Sequence, residues 1–436
     1  MKHGEFLVRL ITMASICLLF TMVALDSIAA PTPPSPTPQA PIAPAFQFLE
    51  HPGPYAVGLK VVDQYDDSRV YRYSTDDLGK PYRGERARPL QTLVWYPAEK
   101  NDGKPMTVGD YTALLKTETS FGNPKMPAYA HDIIGLDGFS KASLATSLWA
   151  VRDAPLASGQ FPVVIYAPSG PSVSWENADL CEYLASHGYV VIASPDMGAM
   201  TRDITYDVAD INTQALDISF LIGYAQTLSD TDMTKVAVAG FSWGAISNLF
   251  AAARDNRIDA LVALDGSMRY YPGLVKQAGD IHPEQMTIPM LFFTRGDTTL
   301  EHQESNDYAG PSVLNAWTHG DLITVHMLAL DHVEFSSMYQ RTEVTWRDYF
   351  TPNADYGREY GAPSYAWIAR YTLKFLDAYL KRDAAAVAYL KNTPAQNDVP
   401  AHFMGVDYRS AKGLPASFEA FRAELGHRGF DHAASV

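Results

Sequence analysis

The chain has 436 residues, 47% of them hydrophobic and 19% charged, the composition of a folded globular protein. Lys and Arg number 34 against 49 Asp and Glu, a formal net charge of −15. That balance excludes non-specific binders of nucleic acid or anionic membrane, which need basic patches.

The first predicted element is not part of a fold. Lys2 and Arg9 flank a weakly basic start, and residues 10–25, LITMASICLLFTMVAL, are uninterruptedly apolar or small. The run is short for a membrane span, which takes about 20 apolar residues. DSIAA follows, and Ser27 and Ala29 match the small-residue pattern of a cleavage site. Residues 1–29 are therefore expected to be a signal peptide cut after Ala29, with an uncleaved membrane anchor as the alternative. The expected location is secreted or periplasmic, with no stable membrane insertion after cleavage. Cys17 follows bulky Ile16 inside the apolar run, which argues against a lipoprotein. Cleavage leaves Cys181 alone, so no internal disulfide is available and the core must carry stability unaided. Oligomeric state is left open.

Residues 30–46 read as a Pro-rich linker, with PTPPSPTPQAPIAP at 31–44 favouring extended polyproline II. The folded domain is expected over 47–395. Strands are predicted at 88–99, 161–168, 189–197, 234–241, 258–266, 288–297 and 322–332. Most of these runs are nearly continuous in Val, Ile, Ala and Leu, the pattern of strands buried on both faces of a parallel sheet. Helices are predicted between them at 176–188, 210–228 and 242–255, with a final amphipathic one at 365–383. Alternation of this kind predicts an α/β fold with a mostly parallel central sheet and helices on both faces. Residues 99–160 read as an excursion between early strands, either a cap over a site or plain surface. Residues 396–436 are polar with weak periodicity and are expected to be a loosely packed tail.

One stretch carries chemistry. VAVAGFSWGAIS, at 236–247, contains Gly240-Phe241-Ser242-Trp243-Gly244. A Gly-x-Ser-x-Gly pattern arises by accident in about one chain in seven of this length, so its context decides. Here a buried strand precedes it and a helix follows, the setting of a nucleophile elbow. The glycines allow the tight turn that lifts a serine hydroxyl to the carboxyl edge of a sheet, where ligands of open α/β folds bind. The bland reading is Ser242 as a helix N-cap. A dinucleotide-binding turn would need G-x-G-x-x-G, which is not present at this turn.

A nucleophilic serine needs a base. His332, just after the last predicted strand, is the best placed; His282, His302, His319 and His326 lie before or within that strand. For the acid, Asp265 and Asp297 each end a strand after the serine, and either could orient an imidazole. Asp331 adjoins His332 but consecutive side chains generally point apart.

The arrangement resembles the platelet-activating factor acetylhydrolase family (group VII phospholipases A2) and bacterial esterase relatives, all α/β hydrolases. LVWYPA at 93–98, FPVVIYAPSG with LASHGYVVIASPD over 161–196, GFSWGA at 240–245, and ALDGSM with PMLFF over 263–293 carry it. The resemblance implies Asp265 rather than Asp297 as the acid, and HVEF matches the family's His-x-x-Phe. It also implies an oxyanion hole of backbone N–H groups from Trp243 and from the loop after FPVVIYA. There the family's His-Gly is replaced by Pro168-Ser169-Gly170-Pro171, and Gly170 aligns as the second donor. The expected protein is a secreted serine hydrolase of carboxylic esters, short-chain or phospholipid-type, using Ser242, His332 and Asp265. Its partner is a small-molecule or lipid ester, not nucleic acid, and no cofactor or metal is implied. A serine peptidase of the same fold and a non-catalytic binding module are the alternatives.

Overall fold

The computed structural model describes residues 46–71, 73–75, 79–122, 138–295, 312–342 and 356–412. The expected signal peptide and nearly all of the expected linker lie outside these residues, as do Asp297 and His302.

Among the described residues eleven strands form one sheet: β1 (Ala56–Val70), β2 (Ala87–Ala98), β3 (Pro105–Thr107), β4 (Ser147–Arg152), β5 (Phe161–Ala167), β6 (Val190–Ala193), β7 (Thr231–Phe241), β8 (Ala260–Leu264), β9 (Met290–Arg295), β10 (Leu322–Met327) and β11 (Met404–Arg409). Their order is β11-β10-β9-β8-β7-β5-β6-β2-β1-β4-β3. From β10 through β6 every neighbouring pair is parallel. Beyond β6, β2 and then β1 pair antiparallel, and β11 pairs antiparallel with β10 at the other edge.

All seven predicted strands are present. Their apolar runs follow from burial on both faces: every residue of β5, β6 and β8 is buried. Each fully buried Val or Ile side chain contributes about 1.5–3 kcal/mol. Side chains of a strand alternate between faces, so two cores form. One contains Val164, Tyr166, Ala237 and Ala239 with α1 (Ala178–Ser186) and α4 (Gly361–Tyr379). The other contains Val163, Ile165, Val236 and Val238 with α2 (Val208–Ala225) and α3 (Trp243–Arg254).

Two boundaries differ from expectation. Residues 99–160 are not an excursion throughout, since β3 and β4 extend the sheet beyond β1. The sheet also runs past residue 395, because β11 pairs with β10 over the whole length of both strands, from Leu322↔Arg409 to Met327↔Met404. Nor is α4 the last helix, since Ala384–Lys391 forms another.

The order β6-β5-β7 places consecutive strands β6 and β7 on opposite sides of β5. The chain thus switches direction at β5, which opens a crevice at the carboxyl ends of β5 and β7. Buried Arg88 braces the neighbouring region. Its Nη2 and Nε meet Asp217 at 2.6 and 2.7 Å, and it donates to the Met197 and Gly198 carbonyls beyond β6.

Candidate active site

Ser242 stands on the turn between β7 and α3, at that crevice. Its backbone has φ +51° and ψ −114°, a left-handed region that L side chains avoid. The turn is held by hydrogen bonds from Ser242 N to the Leu264 carbonyl (3.0 Å) and from Ser267 N to the Ser242 carbonyl (2.9 Å). The two flanking glycines are required by space. A Cβ on Gly240 would stand 2.6 Å from Asn248 Nδ2 and 2.8 Å from the Ala167 carbonyl. One on Gly244 would collide with the carbonyls of Ala167 and Pro168. The Ser242 side chain makes no cap bond to α3, so its hydroxyl is not spent on the helix.

That hydroxyl faces His332 instead, with Oγ 2.9 Å from Nε2. His332 opens a 3₁₀ turn, His332–Phe335, beyond β10. On its other side Nδ1 lies 2.5 Å from Asp265 Oδ2. Asp265 directly follows β8, is fully buried and has φ +42°. Its other oxygen accepts from the Tyr270 hydroxyl at 2.7 Å. Burial opposes ionisation of Asp265. Hydrogen bonding and charge from His332, the Tyr270 hydroxyl and nearby Arg295 outweigh it and hold the carboxyl below its ordinary range. An ionised Asp265 can only accept, so Nδ1 carries the ring proton and Nε2 is left to accept from the Ser242 hydroxyl. Burial and the Asp265 charge push Tyr270 upward, which keeps it a donor. The ring of Phe241, at 5.0 Å, packs against the imidazole.

Asp331 does not share in this chain. Its carboxyl accepts from the His332 backbone N–H at 2.7 Å, closing a capping box with Glu334. Of the other histidines, His282 pairs with Glu284 at the surface and His326 lies within β10.

The first four residues after β5, 168–171, supply few amide donors. Pro168 and Pro171 have none. Ser169 N–H is taken by buried Glu176, at 2.9 Å from Oε2. Gly170 N–H remains, and neither it nor Trp243 N–H has a hydrogen-bond partner among the described residues. The Gly170 carbonyl accepts from Tyr206 at 2.8 Å. A Cβ on Gly170 would lie 3.0 Å from both Trp243 Cδ1 and Asp196 Oδ2, so the two candidate donors are neighbours. Asp196 is buried beneath them with its carboxylate oxygens unpaired among the described residues, and burial pushes it well above its ordinary range.

The surrounding surface is aromatic. Tyr206 and Tyr271 are 53% and 42% exposed and pack edge-on against Trp243, with ring centres at 5.3 and 6.2 Å. Tyr270, Tyr206 and Glu176 carry no recognisable signal in the sequence; only the fold brings them to the serine. Among the described residues no group of three or more His, Cys, Asp or Glu is arranged to hold a metal ion.

A hydrogen-bonded Ser-His-Asp chain at the carboxyl edge of a largely parallel sheet is the architecture of an α/β-hydrolase fold. A ferulic acid esterase from Streptomyces cinnamoneus has a similar structure, with a TM-score of 0.54 and 19% identity, over 81% of this chain and 96% of that one. No protein-family model matches the chain, and no curated protein matches it.

Proposed function

We propose that this protein is a serine hydrolase that cleaves carboxylic esters through an acyl-enzyme. The observation that carries the reading is the Asp265–His332–Ser242 hydrogen-bonded chain, with Ser242 on a strained elbow beside two unpaired amides. Ser242 Oγ attacks the ester carbonyl carbon while His332 Nε2 takes its proton. Asp265 holds the ring in the required tautomer and stabilises the imidazolium. The Gly170 and Trp243 N–H groups receive the negative oxygen, and an oxyanion donor of this kind is worth about 10²–10³ in rate. The tetrahedral intermediate collapses, and the alcohol leaves with the proton from Nε2. Water then attacks the acyl-enzyme by the same steps, releasing the acid and restoring Ser242.

The substrate range is read from the exposed rings of Tyr206 and Tyr271 beside Trp243, which suit an apolar ester group. Short-chain acyl esters and phospholipid-type esters, the substrates implied by the acetylhydrolase resemblance, belong to this reading. Export through the N-terminal segment also belongs to it; among the described residues no helix is long and apolar enough to cross a membrane.

The test is a panel of p-nitrophenyl esters graded by acyl length, with phospholipid and hydroxycinnamoyl esters added. Turnover is expected in the wild type, and Ser242→Ala should lower kcat by about 10⁴ or more. Wild-type rates in Ser242→Ala would sink the proposal, and comparable turnover of peptide amides would favour the peptidase alternative.

A further inference from the structure

The two halves of the proposed machinery lie on separate segments. The Gly170 amide belongs to the loop after β5, and His332 to the segment after β10. Between them lies a consecutive pair of residues, Glu176 and Asn177, both fully buried just before α1.

The Glu176 carboxylate grips the loop. Oε2 accepts from Ser169 N–H at 2.9 Å and from the Tyr166 hydroxyl at 3.2 Å, and Oε1 accepts from the Ser169 hydroxyl at 2.5 Å. Its backbone carbonyl reaches the histidine segment, accepting from Met338 N–H and from the Ser336 hydroxyl, both at 3.1 Å. Asn177 continues the link. Its Oδ1 accepts from Ser337 N–H and from the Tyr365 hydroxyl, each at 2.8 Å. Its Nδ2 donates to the Phe335 carbonyl at 3.2 Å and to the Tyr166 oxygen at 2.5 Å.

Asn177 occupies the N-cap position of α1, a position where Asn ordinarily bonds the first turn of its helix. Here its side chain makes no cap bond and is turned to the histidine segment. Glu176 is equally out of character. Burial pushes its pKa upward, so a carboxyl is kept in an apolar interior against its solvation preference. A buried, fully hydrogen-bonded polar pair of this kind specifies geometry more than it adds stability.

We infer that Glu176 and Asn177 form a buried clamp setting the oxyanion loop against the histidine segment, with Glu176 the positioning residue of the Gly170 amide. Glu176 consumes both donors of Ser169. Within residues 168–171 that leaves Gly170 as the remaining amide donor and locks the peptide preceding it. The inference rests on the hydrolase reading and adds to it a residue that touches neither substrate nor the reacting atoms.

The experiment compares wild type, Glu176→Ala, Glu176→Asp and Glu176→Gln on one p-nitrophenyl ester, with rates normalised to sites titrated by a fluorophosphonate. Affinity for an aryl trifluoromethyl ketone, which forms a tetrahedral adduct needing the oxyanion donors, is measured beside KM. Displacing one donor predicts a fall of about 10-fold or more in kcat per titrated site for Glu176→Ala. Ketone affinity should fall alongside, with KM nearly unchanged. Glu176→Asp keeps the carboxyl group but withdraws it by one methylene, and should show the same pattern if Glu176→Ala does not fold. Glu176→Gln, whose amide oxygen can accept from Ser169 N–H while its NH₂ donates to Ser169 Oγ, should restore most of the rate. Wild-type kcat per site and wild-type ketone affinity in Glu176→Ala or Glu176→Asp would overturn the clamp alone. A wild type that neither turns over esters nor reacts with the fluorophosphonate would overturn the hydrolase reading and the clamp with it.

Discussion

Asp265 is fully buried, with one carboxylate oxygen against the His332 ring and the other against the Tyr270 hydroxyl. Two aspartates, Asp265 and Asp297, end successive predicted strands, and spacing alone favours neither; the preference came from a family resemblance. In the structure Asp265 bonds the His332 ring, and Tyr270 and Arg295 gather round it. Those partners are 5 and 30 residues away in sequence, so no local pattern announces them. Asp265→Asn would leave the shape intact but offer an NH₂ to Nδ1, favouring the wrong tautomer. A fall of about 10⁴ in kcat is expected, read in the same ester assay. Because its folded pKa is depressed below 3.8, the Asp265 contribution is present above that value and lost only as pH falls through the lower folded pKa. An acid limb in the rate profile above pH 4 therefore belongs to a group other than Asp265.

At the scale of elements, legibility followed burial. The strands from β5 to β10 lie between two helical layers and read as apolar runs, and all were predicted. β1 mixes charged and apolar residues along AVGLKVVDQYDDSRV, β3 has three residues, and β11 is MGVDYR. Each sits at or near an edge of the sheet, where solvent permits polar residues and the signal fades. The elbow was legible for the opposite reason: its backbone demands glycine. Gly244→Ala would force a methyl into the Ala167 and Pro168 carbonyls and push α3 off β5. A lower melting temperature and at least a tenfold loss of kcat/KM are expected, measured on the purified variant; a wild-type melting curve and rate would contradict this account of the turn. Glu176 and Asn177 were invisible because an Asn at a helix start ordinarily signals a cap.

Over the whole molecule the sheet is closed off by segments the sequence presents as tail. Asp321, at the start of β10, accepts from Ala411 N–H at 2.8 Å. It also accepts from Tyr408 of β11 (2.8 Å) and Tyr379 of α4 (2.7 Å). Burial works against its ionisation, but these three donors hold its pKa below the ordinary 3.8. A depressed carboxyl stabilises the fold above its unfolded pKa, and that contribution disappears as pH falls through the folded value. Asp321→Asn should therefore lower the melting temperature at neutral pH, and the gap from wild type should close as pH falls through the lowered folded pKa. A gap independent of pH would show that the three donors act through shape alone. The tail's polar composition hid this role, since the apolar face of β11, Met404, Val406 and Tyr408, alternates with polar or small residues over only six positions.

The most direct test of the central claim is the mass of the protein after reaction with a fluorophosphonate, followed by peptide mapping. One phosphonyl group per chain is expected, carried on Ser242, with none added to Ser242→Ala and slow addition to Asp265→Asn. A wild-type chain that stays unlabelled, or label carried on a residue other than Ser242, would contradict it.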